Sequence, residues 1–551
     1  MVPSTANRAL KVSRLSSVIR RLSKILRKTA RFLGPGAMVS VSYIDPGNYS
    51  TGISAGASFR YDLLCVVLIS NMLAIFLQTL CLRLGTVTGH DLAHNSRLHL
   101  PRWANILSYL FAEAAIIATD LAEVIGVAIA LNILSHGKIP LVGGVIITMV
   151  DVVIILFFYN RQPGPSSGSR RAGNALSKTQ AFEIGVAGLV VAVAVCFAIE
   201  LSRASANMNA AQVFRGFLPS GTMVKSQGLY NSCGILGATV MPHSLYLGSG
   251  IVQSRLKDYD IRHGFWAPFG SELSTTIEHT DTTTTPRPSA DYHRTELEIE
   301  MENDKYRPSL SAIQNCLPYS LAELIFSLVT FALFINSAII IVAGSTLYGT
   351  PAATDADLFS IYDLLKAQLS SAAATLFAVA LLMSGQSAGL VVTLAGQIVS
   401  EGYFKWSITP WKRRLITRTI AVIPCIIVAS DPHLGRTGLA AVLNASQVAL
   451  SVVLPVVSAP VIWFTSSRKV MSVPAQDPML GGDVTNIGDG RISQRGEQSA
   501  VVLDDREDPS LVPSMVDMSN SLLVSIVGAV VWLFITALNL YLVISLAMGK
   551  S

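Results

Sequence analysis

Long apolar runs repeat along almost the whole chain, and they constrain the fold more than any other feature of the sequence. A run of about 20 apolar residues is long enough for a helix to cross a bilayer. Such runs lie at residues 33–56, 62–84, 104–134, 141–159, 181–201, 229–253, 315–348, 372–402, 417–430, 438–465 and 519–547. Backbone groups in lipid must be satisfied within the segment, so such runs form helices. We therefore expect an all-α polytopic membrane protein with about 11 transmembrane helices, the ninth being the shortest.

The composition agrees with this class and excludes several others. Of 551 residues, 51% are hydrophobic and 14% are charged, against roughly a quarter charged in soluble proteins. The net charge of +6 comes from basic residues beside the apolar runs, which indicates membrane orientation and no nucleic-acid partner. Six cysteines form no Cys-x-x-Cys pair, so neither a disulfide framework nor a zinc site is indicated.

The distribution of charge predicts the orientation and an internal symmetry. If the amino terminus is cytoplasmic, the arm and the short cytoplasmic segments hold 21 Lys and Arg residues, against 7 outside. This bias fits the positive-inside rule. Spans one to five and six to ten then form two inverted halves, because an odd number of spans reverses the second half. The eleventh span lies outside this repeat.

The first span of each half is interrupted by a proline beside side chains that can bind a cation. Asp45-Pro46-Gly47-Asn48 interrupts the first run, and Gly237-Ala238-Thr239-Val240-Met241-Pro242-His243-Ser244 interrupts the sixth. Proline breaks a helix and frees carbonyl groups, and such backbone is tolerated in a membrane only where it lines a cavity. Paired broken spans are typical of a transporter's central site. Taken alone, the first motif would be an ordinary turn.

The side chains at the breaks indicate which cation would bind. Asp45 is the anionic candidate ligand and Asn48 adds an amide oxygen. Met241 supplies a thioether, which suits transition metals and contributes little to Ca²⁺ or Mg²⁺. His243 is placed to sense a proton. The alternatives are that Met241 only packs and that His243 is a satisfied buried histidine.

Three acidic residues in the third span form a second candidate site. Glu113, Asp120 and Glu123 are spaced by seven and three residues, which places them on one helical face. Three acids in one span cannot face lipid. They predict a proton relay toward the cytoplasm or, alternatively, structural salt bridges with Arg418 as one partner. Glu183 and Glu200 bracket the fifth span, and we expect them at the membrane interface.

The two breaks resemble those of the natural resistance-associated macrophage protein (Nramp) family of proton-coupled divalent metal transporters, in a fungal-like variant. Two further stretches agree, Arg83-Leu84-Gly85 to Thr88-Gly89-His90-Asp91-Leu92-Ala93 and Ser384-Gly385-Gln386-Ser387 to Ala395-Gly396-Gln397. The likeness covers roughly residues 32–465. Many members carry Asn where this chain has Ser244, a difference that we expect not to touch the site.

The resemblance implies a fold and further site residues. It implies a LeuT-like 5+5 inverted repeat with helices 1 and 6 broken. It also implies that the carbonyls of Ser42 and Ala238 bind the metal, that Gln447 approaches it in some states, and that the span-three acids relay protons. Gln447 by itself could equally make an interhelical hydrogen bond. Asn336 resembles a family position and has no independent argument.

The remaining segments are predicted to lie outside the bilayer. Residues 1–32 form a basic cytoplasmic arm, for which a mitochondrial transit peptide is the alternative. The transporter core covers 33–465 and contains a disordered cytoplasmic loop at 255–310. A disordered cytoplasmic linker follows at 466–518, and the eleventh span and carboxyl terminus occupy 519–551. We expect the protein in the plasma membrane or an endomembrane such as that of the vacuole or endosome.

Together these features predict an importer of Mn²⁺, Fe²⁺ or a related divalent metal, coupled to protons and working by alternating access. The metal and H⁺ would be transported substrates, and no resident cofactor or enzymatic activity is expected. One alternative is a sodium-coupled amino-acid symporter of the same architecture, although Asp45 would repel a substrate carboxylate. Another is a metal sensor that keeps the fold and transports nothing.

Overall fold

The computed structural model describes residues 43, 45–149, 191, 194–195, 197–202, 208–266, 306–353, 356–368, 370–404, 410–431, 435–475 and 514–549. The predicted basic arm at 1–32 lies outside these residues. The described chain is almost entirely helical. Its first helices are α1 (Pro46–Phe59), α2 (Leu64–Thr88), α3 (Leu92–His99) and α4 (Arg102–Leu134), followed by helical residues 141–149 and 197–202.

The second half repeats this pattern of long and interrupted helices. It contains α5 (Ala210–Gly216), α6 (Ser226–Val240), α7 (Pro242–Gly250), α8 (Gln253–His263), α9 (Leu310–Ser327) and α10 (Leu333–Thr346). It continues with α11 (Leu358–Gln368), α12 (Ser371–Phe404), α13 (Pro410–Ser430), α14 (Gly435–Ser466) and, after two short strands, α15 (Leu522–Ala547). A π-helical turn, Leu328–Ala332, joins α9 to α10.

Seven stretches in the described part are long and apolar enough to cross a membrane. They are Leu64–Thr88, Arg102–Leu134, Gln227–His263, Leu310–Thr346, Ser371–Phe404, Gly435–Ser466 and Leu522–Ala547, and they coincide with predicted spans two, three, six, seven, eight, ten and eleven. Much of predicted spans one, four and five lies outside the described residues. The total of eleven spans therefore stays a prediction.

The predicted ninth span, 417–430, begins too late. Its helix, α13, starts at Pro410 and includes Arg413, Arg414 and Arg418. These charges end the apolar run in the sequence, whereas in the fold their side chains are buried or nearly buried against acids of α4. Charged residues that are paired inside the bundle can extend a membrane helix.

The packing of the helices has the symmetry expected of two inverted halves. α1 packs along α10, and α7 packs along α2. The inverted repeat relates span one to span six and span two to span seven. It therefore relates the contact of α1 (span one) with α10 (span seven) to the contact of α7 (span six) with α2 (span two). α4 and α12, the third span of each half, pack directly on one another. At Gly56 the contact between α1 and α10 is so close that an added Cβ would lie 2.7 Å from the carbonyl oxygen of Ile340.

Parts of the two stretches predicted to be disordered have a defined structure. Residues 255–263 belong to α8, whose buried Asp260 accepts hydrogen bonds from the Tyr306 hydroxyl at 2.7 Å and the Ser309 amide at 3.1 Å. In the second stretch, β1 (Ser472–Pro474) pairs antiparallel with β2 (Met515–Asp517) and joins the ends of the linker. Residues 267–305 and 476–513 lie outside the described part.

Candidate functional site

The first break is organised by Asp45, which caps the amino terminus of α1. Its Oδ1 accepts hydrogen bonds from the backbone amide of Asn48 at 2.9 Å and from the Asn48 side chain at 2.8 Å. Pro46 follows as the first helical residue, where its missing N–H costs nothing. Asp45 is fully buried, and its Oδ2 has no hydrogen-bond partner within the described structure. An unsatisfied buried carboxylate oxygen of this kind is available for a ligand.

The second break lies directly against the first. α6 ends at Val240 and α7 begins at Pro242, with Met241 between them at φ 11° and ψ 104°. The carbonyl of Ala238, one turn before Met241, accepts a 2.9 Å hydrogen bond from Asn48 Nδ2. Both Asn48 and Met241 are buried. The two broken helices are thus joined at the residues that the sequence singled out.

Gln447 of α14 covers this junction. A Cβ added at Gly47 would overlap the side-chain amide of Gln447, and one added at Gly237 would overlap its backbone carbonyl. Gln447 is fully buried, and its Oε1 has no hydrogen-bond partner in the part of the chain that is described. The structure therefore places Gln447 against both breaks. Ser42, the remaining predicted ligand, lies outside the described residues.

The side-chain amide of Asn48 joins Asp45 and Ala238, two of the residues whose oxygens could bind a cation. Its Nδ2 donates to Asp45 Oδ1 at 2.8 Å and to the Ala238 carbonyl at 2.9 Å. A bound cation would attract both oxygens and would also favour the amide oxygen over the amide nitrogen. Ligation of a metal by the Asn48 oxygen would therefore require this amide to rotate and to release both acceptors.

The junction offers oxygen and sulfur donors with a single carboxylate. No group of three or more His, Cys, Asp or Glu side chains that could hold a metal occurs among the described residues. A closed zinc-type site made of such residues is therefore not formed by this part of the chain. The donors at the junction instead suit a divalent metal that accepts mixed oxygen and thioether ligands.

His243 links the second break to the third span. Its Nδ1 lies 3.1 Å from the hydroxyl of Thr119, which donates its own hydrogen to the Ala115 carbonyl at 2.9 Å. A hydroxyl has one hydrogen to give, so Nδ1 of His243 is the donor in this contact. Nε2 is then the nitrogen that can take up a proton. Thr119 directly precedes Asp120, the central acid of the span.

The three acids of α4 all face arginines of α13, which confirms that they share a helical face. Arg418 Nη1 lies 3.2 Å from Asp120 and 3.3 Å from Glu123. Arg414 contacts Asp120 and lies 3.0 Å from Glu123. Arg413 contacts Glu113 nearer the end of the bundle. We call these six residues the acid–arginine cluster.

The sequence predicts Arg418 as a partner of these acids but gives Arg413 and Arg414 as cytoplasmic charges, whereas the structure pairs all three. The available signal was three unpaired acids in one span and a basic run just before an unusually short ninth span. Small residues of α12 leave room for the cluster. An added Cβ at Gly389 would lie 3.2 Å from Glu123 Oε2 and 3.3 Å from Arg414 Nη2.

The expectation for Ser244 is wrong. Ser244 does touch the site, because its Oγ donates to the Met241 carbonyl at 2.8 Å and accepts from Gln78 Nε2 at 2.7 Å. Glu200, which we expect at the membrane interface, has a buried side chain. Glu183 lies outside the described residues, and buried Asn336 has no side-chain hydrogen bond within them.

The family described as Natural resistance-associated macrophage protein-like (Nramp) matches residues 36–164 and 172–480, most of the chain. The chain belongs to the Nramp family. This confirms the predicted all-α, multi-pass membrane fold with broken helices 1 and 6, and the chain is a metal transporter and not an enzyme.

Named relatives are similar over nearly the whole of this Nramp chain. The manganese transporter SMF1 of Saccharomyces cerevisiae is 47% identical, with 95% of this chain and 87% of the relative covered. The iron transporter SMF3 of the same yeast is also 47% identical, with 96% and 99% covered. The crystal structure of a manganese transporter from Eremococcus coleocola matches with a TM-score of 0.66 and 28% identity, covering 95% of this chain and 87% of that one.

Proposed function

We propose that the protein imports Mn²⁺, Fe²⁺ or a related divalent metal together with protons by alternating access. One observation carries the proposal: Asp45 Oδ2 and Gln447 Oε1 are buried oxygens without hydrogen-bond partners where the two broken helices meet. A bound cation would compensate both oxygens for the hydration that they lose on burial. The proposed ligands are the side chains of Asp45, Asn48, Met241 and Gln447 and the carbonyls of Ala238 and Ser42.

The thioether of Met241 supports a transition metal as the substrate. A sulfur ligand favours Mn²⁺, Fe²⁺ or Cd²⁺ over Ca²⁺, which prefers oxygen ligands throughout. The relatives named as manganese and iron transporters point to the same class of metal. Their names do not distinguish the two metals for this chain.

The acid–arginine cluster and His243 are the proposed proton pathway. His243 touches Thr119 at 3.1 Å, and Asp120 and Glu123 follow along the same helix. A proton leaving the metal site would reach Asp120 through His243 and pass toward Glu113. Arg418 lies within 3.3 Å of both Asp120 and Glu123 and would stabilise them as carboxylates after the proton leaves.

A pocket at the far side of the cluster supports the exit of protons to water. It is a small pocket, and its lining includes Arg413, Arg414 and Thr417 of α13. Water entering there would reach the arginines without crossing the metal site. Because basic residues concentrate on cytoplasmic faces, we assign this end to the cytosol and place the amino terminus there. The plasma membrane or an endomembrane is the proposed location.

Uptake of radiolabelled Mn²⁺ into proteoliposomes, with and without an inward proton gradient, tests the function. We expect uptake that the gradient accelerates and that Asp45→Ala abolishes, because the substitution removes the anionic ligand. Asp62→Ala, an exposed aspartate just beyond the other end of α1, is the matched control and should transport normally.

Each outcome has a distinct meaning. Normal Mn²⁺ uptake by a folded Asp45→Ala variant would overturn the site. Uptake by the wild type that ignores the proton gradient would overturn the coupling. Metal binding without any uptake would favour the sensor function over transport.

A further inference from the structure

A second buried carboxylate lies away from the metal junction and the acid–arginine cluster. Glu200, in helical residues 197–202, is 3% exposed and lines a small pocket. Its Oε2 has no hydrogen-bond partner within the described structure. A fully buried acid with an unsatisfied oxygen calls for an explanation, since such groups are rare unless they serve a function.

The surroundings of Glu200 are apolar on every side that the structure describes. The pocket is lined by residues from the fifth span and from α1, α10, α11 and α12, which are Tyr49, Ile53, Phe197, Ile339, Val342, Ile361 and Phe377. Tyr49 is the one other titratable group among them. Its ring lies 5.6 Å from that of Phe197 and 5.9 Å from that of Phe377.

Among the described residues, the other charged groups on these elements do not line the pocket, and Arg203, three residues after Glu200, lies outside the described residues. α1 and α10 carry no charged side chain. On α11, Asp363 and Lys366 are exposed, and Asp357, just before α11, accepts a 2.7 Å hydrogen bond from the Ser360 amide. Glu401 of α12 lies at the opposite end and accepts from Gln397 at 2.7 Å. The residues that line the pocket therefore provide no cation for Glu200.

An ionised carboxylate is strongly disfavoured in such a pocket, because burial removes its hydration and none of the described residues that line the pocket supplies a cation in its place. The apolar residues therefore pack around Glu200 favourably only when its carboxylate has taken up a proton from solvent. When these residues separate, water hydrates the carboxylate and the proton is released. The pocket is also coupled to the metal junction, because Tyr49 directly follows Asn48 along α1.

We propose that Glu200 is a proton-binding gate residue at the end of the transporter opposite the acid–arginine cluster. It binds one proton as the pocket formed by Tyr49, Phe197, Ile361 and Phe377 closes over the metal site. The same carboxylate, ionised in the open state, attracts the incoming divalent cation. The assignment of Glu200 as a gate for substrate rests on the proposed alternating-access transport, whereas the linkage of closure to protonation can be measured without transport.

The test measures how fast a thiol in the pocket reacts. Ile361→Cys places a thiol on α11, and the purified protein in nanodiscs is treated with a hydrophilic methanethiosulfonate reagent between pH 5.5 and 8. The unsubstituted protein, with its native cysteines, gives the background rate. The same thiol in an Ile361→Cys/Glu200→Gln double variant is the matched control, because thiol ionisation affects both proteins equally.

We expect the ratio of the two rates to depend on pH. As the pH is lowered, the reaction rate of Ile361→Cys should fall more steeply than that of the double variant. The additional decrease should be at most about tenfold per pH unit, because closure is linked to the binding of one proton. The Glu200→Gln background should react slowly at every pH, because a neutral amide permits closure without a proton. A pH-independent ratio, or a Gln variant as reactive as the wild type at pH 8, would overturn the proposal.

Two further variants keep the result interpretable. Glu200→Leu fills the apolar pocket and should give the same slow reaction, with no pH dependence beyond that of thiol ionisation, if the Gln variant fails to fold. Glu323→Gln removes a buried glutamate of α9 that lies 3.0 Å from Arg255, and it should leave the pH dependence of Ile361→Cys unchanged. Loss of the pH dependence in this control would also overturn the assignment to Glu200. Failure of Mn²⁺ uptake in the wild type would instead refute transport and would leave the thiol result intact.

Discussion

Replacing Asp120 by Asn removes one charge from the most deeply buried part of the acid–arginine cluster. There, Arg414 and Arg418 each contact both Asp120 and Glu123, and all four side chains are at most 3% exposed. Two cations and two anions balance in the wild type. The Asn variant keeps the shape and an oxygen acceptor but leaves the two arginines sharing Glu123 alone.

The expected size of the effect follows from this geometry. Removing one partner of a buried ion pair typically costs about 3–5 kcal/mol, because a charge is left uncompensated. Here both arginines retain Glu123, at 3.0 and 3.3 Å, so we expect the lower part of that range, about 3 kcal/mol. Arg418→Gln should cost a similar amount, since it leaves two carboxylates with Arg414.

The double variant Asp120→Asn/Arg418→Gln restores neutrality and retains the 3.0 Å pair of Arg414 with Glu123. Its destabilisation should be smaller than the sum of the single effects by about 1–3 kcal/mol, the range of coupling measured for residues in one network. The free energies of unfolding are compared by denaturant titration in mixed micelles. Glu113→Gln, in a pair that is 11–16% exposed, is the control and should cost less.

Transport by the same variants separates the structural from the functional role of Asp120. An amide cannot accept and release a proton, so Asp120→Asn should reduce the proton dependence of Mn²⁺ uptake more than Mn²⁺ binding, and the neutral double variant should not recover it. Strictly additive destabilisation would refute the charge-balance argument. Unchanged metal-stimulated proton flux in Asp120→Asn would refute a relay through this residue.

Three other predictions address the metal junction and its supports. Met241→Ala leaves a site of oxygen ligands, so Ca²⁺ should compete better against Mn²⁺ uptake, and Cd²⁺ should lose more affinity than Mn²⁺. If Ca²⁺ competes equally well in the wild type and the variant, Met241 is a packing residue. Gly237→Ala should destabilise the protein by about 1–3 kcal/mol, because the added Cβ overlaps the α14 backbone, while Gly221→Ala, with no atom within 4 Å, should be nearly neutral in the same unfolding assay. Burial raises the pKa of Asp91, beyond the end of α2, from 3.8 to about 6. The folded state therefore binds more protons than the unfolded state between these values, and wild-type stability should fall relative to Asp91→Asn as pH rises from about 4 to 6; a difference in melting temperature that is constant over this range would contradict it.

The sequence by itself determined the membrane class and the residues at which the two helix breaks meet, where we propose the metal site. Apolar runs and proline breaks are local features, and the requirement to satisfy backbone hydrogen bonds in lipid acts on each segment separately. Asp45, Asn48 and Met241 could therefore be singled out before any packing was known. The charge bias and the odd number of spans per half also predicted the inverted repeat, which the exchange of helix contacts supports.

Only the tertiary structure decided which charges pair and which are buried without a charged partner among the described residues. Arg413 and Arg414 looked like ordinary cytoplasmic residues, and their partners lie nearly 300 positions earlier in the chain. Glu200 looked interfacial because it ends a span, whereas side chains from four other helices enclose it. In each case the energy of a charge depends on neighbours that are distant in sequence, because desolvation and pairing are set by what packs around it.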